Sequence, residues 1–230
     1  MELTNDFDVS LLSYEEWIDY FFGQRLLNPD DAEREPFSKE PEFFINAFCP
    51  QGHILEVSRP EKIVEYLTRL CDGFSELGKK YSLPQLNQGI WAIIGPAFAL
   101  GDLLWKPTIP LADRLICIRS MRRPYIDYVD GHDAPVMENC FSMWFDMVLG
   151  WRESYTDLAA DERSLLDTFF ETLCAILELN DERCQSYALH GLGHLCHPAR
   201  AARVQQFIDA HQGEDLNLEW LYECRDGTVM

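Results

Sequence analysis

The sequence predicts an all-α protein made of stacked antiparallel helical hairpins, and three observations carry that prediction. From Pro60 onward, apolar residues recur at intervals of three and four, the period of one helix face. Helix-start chemistry opens several of these stretches, as in Ser82-Leu-Pro-Gln85, Asp161 and Asp181. Turns of only a few residues separate most of them, which is how one helix is returned against the last.

Residues 1–59 are expected to form an irregular, partly helical segment packed on the array. They hold a short aromatic helix, Tyr14 to Phe22, then a solvated stretch through Asp30–Pro36 and Lys39–Glu42. Phe43–Val57 reads equally as helix or strand. After Pro60, Ile63, Leu67, Leu70 and Phe74 mark one buried face. At Ser82 a capping box opens a helix expected to reach about Trp105, kinked near Pro96 because that ring removes an amide donor.

Thr108-Ile-Pro110 starts the next helix. Leu111, Leu115, Ile118 and Met121 form its expected core stripe, with Asp113, Arg114, Arg119, Arg122 and Arg123 on the wet side. Pro124 bends or ends it, and an aromatic helix follows from Pro135 to about Trp151. Asp161 is the expected cap of a helix carrying Leu166, Phe169, Phe170, Leu173, Ile176 and Leu177. Asp181 caps the next, lined by Cys184, Tyr187, Ala188, Gly191, Leu192 and Leu195 and closed by His197-Pro198. One further helix carries Val204, Phe207, Ile208 and His211, and a short last one carries Leu218 and Leu221. Hairpins of this size make residues 60–230 a degenerate, HEAT-like helical array, an α-solenoid.

Composition bounds the function. Apolar residues at 47% and charged residues at 25% describe an ordinary globular chain rather than a disordered one. The first eight residues carry acids where a secretory signal carries a basic stretch and an apolar run. The most apolar stretch, Ile90 to Trp105, is broken by Gly95-Pro96 and Gly101-Asp102, so no membrane span is expected. Eight cysteines at irregular spacings, with no C-x-x-C pair, read as reduced thiols, and the expected location is the cytoplasm.

The net charge of −20 is unevenly spread. Residues 1–60 hold 13 acids and 4 bases, residues 61–130 hold 8 and 9, and residues 131–230 hold 18 and 6. Such a field repels phosphate backbones and speeds encounter with a basic protein. A basic protein partner is therefore expected, and nucleic acid is disfavoured. The acids singled out for that surface are Glu153, Asp157, Asp161 and Glu162 in one cluster, with Glu214, Asp215, Glu219, Glu223 and Asp226 in another.

One segment has the spacing of a metal site. In His190-Gly-Leu-Gly-His194-Leu-Cys-His197, His190 and His194 lie one helical turn apart, with His197 or Cys196 as a third donor. The zinc-protease pattern needs a Glu directly after the first His, and Gly191 stands there, so that mechanism is excluded. The competing structural reading makes Gly191 and Gly193 close-packing positions and the histidines hydrogen-bonded border residues. Gly131-His132-Asp133 contains the His-Asp pair of helical phosphohydrolases, without further ligands at helical spacing. No phosphate-binding glycine loop or nucleophile elbow is present, and neither catalytic residues nor a cofactor is expected. Trp144, in Met143-Trp-Phe-Asp146, reads as core.

From about Pro60 to its end the chain resembles an uncharacterised group of bacterial helical-repeat proteins. The resemblance rests on Tyr81-Ser-Leu-Pro-Gln-Leu-Asn-Gln-Gly-Ile-Trp91, Ile109-Pro with Arg114-Leu-Ile-Cys-Ile-Arg-Ser-Met121, Met143–Asp146, Cys184-Gln-Ser-Tyr-Ala-Leu-His-Gly-Leu-Gly-His194 and Asp226-Gly-Thr-Val229. Ser186 departs from the pattern, which has an acid there. The resemblance implies a HEAT-like fold, no established catalytic residues, and an antidote role in toxin systems. The function expected is thus an immunity protein that neutralises a basic toxin domain by direct binding. The rival readings are a metal-dependent hydrolase centred on His190, His194 and His197, and a scaffold subunit of a larger assembly.

Overall fold

The computed structural model describes residues 7–23, 55–95, 100–130, 140–150, 154–212 and 216–229. Among the described residues, secondary structure is helical apart from a two-residue parallel bridge, β1 (Phe7–Asp8) with β2 (Leu55–Glu56). The α-helices are α1 (Tyr14–Phe22), α2 (Pro60–Asp72), α3 (Phe74–Lys80), α4 (Leu83–Ile94), α5 (Leu100–Trp105), α6 (Leu111–Ser120), α7 (Cys140–Leu149), α8 (Ala160–Leu177), α9 (Glu182–His194), α10 (Arg200–Ala210) and α11 (Leu218–Asp226). A 3₁₀ turn at Val9–Leu11 and a π-helical turn at Tyr125–Val129 complete the set.

Side-chain caps fix several of the starts. Ser13 and Glu16 bond reciprocally at the head of α1, with Ser13 N–H donating to Glu16 at 2.8 Å and Glu16 N–H to Ser13 Oγ at 3.3 Å. Gln85 accepts from the Ser82 amide at 3.0 Å, closing the start of α4. Asp181 accepts from the Arg183 and Cys184 amides at the head of α9. The expected cap at Asp161 is corrected: α8 begins earlier, at Ala160, where Glu162 accepts from the Ala159 amide at 3.0 Å. The single long helix expected from Ser82 to Trp105 is also corrected. It ends at Ile94, with Gly95 as its cap, and α5 is a separate helix from Leu100. Pro96 itself, the Asp30–Glu42 stretch and His132-Asp133 lie outside the described residues.

Packing follows two runs of neighbours. In one, α2 packs on α6 and α6 on α8; in the other, α1 packs on α4, α4 on α7, α7 on α9 and α9 on α11. The runs meet where α8 packs on α9. Between them lies a run of aromatic rings: Phe74 to Phe141 at 5.5 Å between centroids, Phe141 to Tyr125 at 5.2 Å, Tyr125 to Phe145 at 5.9 Å, and Phe145 to Phe169 at 6.4 Å. All five rings are buried, and each is worth about 1.5–3 kcal/mol in transfer from water.

The opening segment is tied to α2 rather than standing apart. Lys62 Nζ donates to the Ser10 and Leu12 carbonyls at 2.9 and 2.8 Å, and the Tyr66 hydroxyl donates to Leu12 O at 2.9 Å. Several side-chain placements differ from expectation. Arg114, expected on the wet side of α6, is 2% exposed, while Leu111 and Leu115 are only half-buried and Ile116 is exposed. Leu218, expected in the core with Leu221, is 46% exposed. The seven described cysteines form no disulfide. Among the described residues no helix is long and apolar enough to cross a membrane.

Candidate functional site

Two features stand out on this scaffold: the outer face of α11, and a polar array between α7 and α9. In α11, Leu221 and Cys224 point into the core. At about 100° per residue, Leu218, Tyr222, Asp226, Glu219 and Glu223 follow one another around the opposite arc. Leu218 and Tyr222 are 46% and 41% exposed, so this face sets a leucine and a tyrosine ring beside three carboxylates, of which Glu223 is half-buried. Arg225 lies over the Tyr222 ring at 4.7 Å and bonds Asp226 Oδ1 at 2.7 Å, which holds the Asp226 carboxyl below the usual range. The sequence had marked the acids and missed the apolar pair. Their spacing of four, opposite Leu221 and Cys224, was the available signal.

The other expected binding acids divide by role. Asp161 pairs with the buried Arg114 at 3.3 Å, and Glu162 caps α8, so both have structural partners. Asp157 is exposed in the loop before α8. Glu153, Glu214 and Asp215 lie outside the described residues. Trp144 is buried at 1% exposure, as expected for a core residue.

The second feature begins from two matched spacings. Ser142 and Asp146 are four apart on α7, and His190 and His194 are four apart on the facing side of α9. His190 Nδ1 lies 2.9 Å from the Ser142 carbonyl oxygen, and His194 Nδ1 lies 3.4 Å from Asp146 Oδ1. The two Nε2 atoms are 3.2 Å apart, with the rings nearly perpendicular at 83°. A carbonyl only accepts, so His190 carries its proton on Nδ1 and turns a lone pair outward from Nε2. Burial holds the His194 imidazole below its ordinary range; Asp146 opposes that effect and His190 adds to it.

Close approach of the helices makes this array possible. A Cβ on Gly191 would stand 2.7 Å from Leu173 Cδ2 and 2.9 Å from Phe145 Cβ, and one on Gly193 would overlap Val229. The two glycines are therefore packing positions, in agreement with the structural reading of the motif.

His197 belongs to a different constellation. The Ala199 amide donates to its Nδ1 at 3.2 Å, so its proton sits on Nε2, which donates to Asp167 Oδ1 at 3.2 Å. Tyr155 donates to the same carboxylate oxygen at 2.6 Å, and Phe170 stacks on the ring at 4.2 Å. Burial lowers its proton affinity, and Asp167 partly restores it. Both nitrogens are thus engaged, and the geometry does not unite His197 with His190 and His194. Among the described residues no three His, Cys, Asp or Glu side chains converge as a metal-ligand group. Cys196 is half-buried beside this site. No protein-family model, no curated protein and no solved structure matches the chain.

Proposed function

We propose that the protein is a HEAT-like helical module that binds a basic protein through the outer face of α11, acting as a bacterial immunity protein that neutralises a basic toxin domain. The observation that carries this reading is the juxtaposition of Leu218 and Tyr222 with Glu219, Glu223 and Asp226 on one exposed arc of a chain with net charge −20. Carboxylates steer a cationic partner into contact, and a few apolar anchors supply most of the affinity once water is displaced.

Several of the few basic side chains hold structural bonds rather than forming a basic patch of their own. Lys62 donates to two backbone carbonyls, Arg200 to the Leu195 and Arg225 carbonyls, and Arg183 to Asp181 and the Val129 carbonyl. The reading of a HEAT-like arrangement rests on two runs of contacting helices, α2–α6–α8 and α4–α7–α9–α11. An array of that kind presents an extended surface, suited to covering the active face of another domain.

Co-expression with the product of the adjacent gene tests the reading. The neighbour should arrest growth alone, growth should return when this chain is present, and the two should elute together. Charge reversal at Glu219 and Glu223 should abolish both the rescue and the co-elution. A harmless neighbour, or rescue indifferent to those reversals, contradicts it.

A further inference from the structure

We infer that His190 and His194 form a two-imidazole site for a divalent late transition-metal ion, such as Zn²⁺ or Ni²⁺, with Ser142 and Asp146 as the groups that orient the ligands. The site is independent of the α11 face. Four observations converge on it.

First, the Nε2 atoms stand 3.2 Å apart. Two imidazole nitrogens at about 2.0–2.1 Å from a tetrahedral ion are themselves separated by about 3.3 Å, so the pair already has the edge length of such a site. Second, the opposite nitrogen of each ring faces an acceptor of the kind that orients metal-bound histidines: the Ser142 carbonyl for His190 and the Asp146 carboxylate for His194.

Third, these acceptors specify the proton positions. The Ser142 carbonyl requires a proton on His190 Nδ1, and the Asp146 carboxylate favours one on His194 Nδ1. With both protons on Nδ1 the two Nε2 lone pairs face each other across 3.2 Å, a gap that either a proton on His194 Nε2 or a metal ion bridges. A metal ion held by both imidazoles satisfies all four nitrogens at once. Fourth, the His194 and Asp146 side chains are 23% and 29% exposed, so the array lies at the edge of the core rather than sealed inside it.

Imidazole ligation suits zinc, nickel and copper and excludes the hard cations magnesium and calcium. Titration of ZnCl₂ into the full-length, tag-free chain, stripped beforehand with chelator and followed by calorimetry and thermal melting, tests the site. The wild type should take up one zinc ion saturably and melt at a higher temperature. His190→Gln and His194→Gln should each weaken binding at least about 100-fold, and Asp146→Asn by about 10–100-fold, the range for loss of an orienting carboxylate. His197→Gln should bind zinc as the wild type does. Melting of each metal-free variant shows whether it folds, and the wild-type titration stands whether or not they do. A wild type without saturable zinc binding, meaning that only a proton joins the two rings, overturns the proposal. So does binding that survives loss of both histidines, or binding that His197→Gln removes.

Discussion

Arg114 shows how a single side chain can be misplaced by pattern and then explained by contact. Its guanidinium is buried, with Nη2 3.3 Å from Asp161 and Nη1 3.5 Å from the Leu104 carbonyl, while Nε has no hydrogen-bond partner. These are long bonds for a charge removed from water, so desolvation is only partly offset. Arg114→Met, which keeps the apolar stem and discards the charge, is expected to leave stability within about 1 kcal/mol of the wild type or to raise it. Asp161→Asn, which strands the guanidinium, is expected to cost about 1–2 kcal/mol, moderated because Asp161 is 57% exposed. Urea denaturation of the two variants distinguishes them, and the reverse order of stabilities contradicts this description of the pair. The sequence rule that cations face water failed at this position because a long aliphatic stem packs like a hydrophobe wherever its head finds even one acid.

At the scale of elements, the helix stripes and several caps were legible because each is written in residues three or four apart. Ser82 and Asp181, both marked in the sequence, start helices through a partner three positions on or through their own side chain, while the Ser13 cap was not marked. Register between helices was less legible. Cys117 turns α6 inward as much as Ile118 does, and a face shared by a Cys and an Arg does not read as apolar. The α7–α9 array was half visible: the histidine spacing stood out, but nothing in one sequence says that Ser142 and Asp146 face it. Gly191 is the position where that contact is most sensitive. A methyl there meets Phe145 Cβ, which is fixed to the backbone of α7, so overpacking of about 1–3 kcal/mol outweighs the gain of about 1 kcal/mol in helix propensity. Gly191→Ala should therefore cost a net amount on the order of 1 kcal/mol of stability, read as a lower urea midpoint, and a stabilised variant shows that the helices are not in contact at that point.

At the scale of the molecule, charge and shape act together. Acids outnumber bases throughout the last 100 residues, 18 against 6. The acid excess was plain from composition alone. Its organisation was not, since Asp161 and Glu162 prove to be structural whereas Glu219, Glu223 and Asp226 share a face with exposed Leu218 and Tyr222. The most direct test of the central claim is the association rate with the proposed basic partner, the product of the adjacent gene, measured by stopped flow across ionic strength. It should fall by at least about tenfold between low and high salt, and Glu219→Lys with Glu223→Lys should remove most of that dependence. A rate indifferent to salt, or a salt dependence that survives both reversals, contradicts docking through the acidic face of α11.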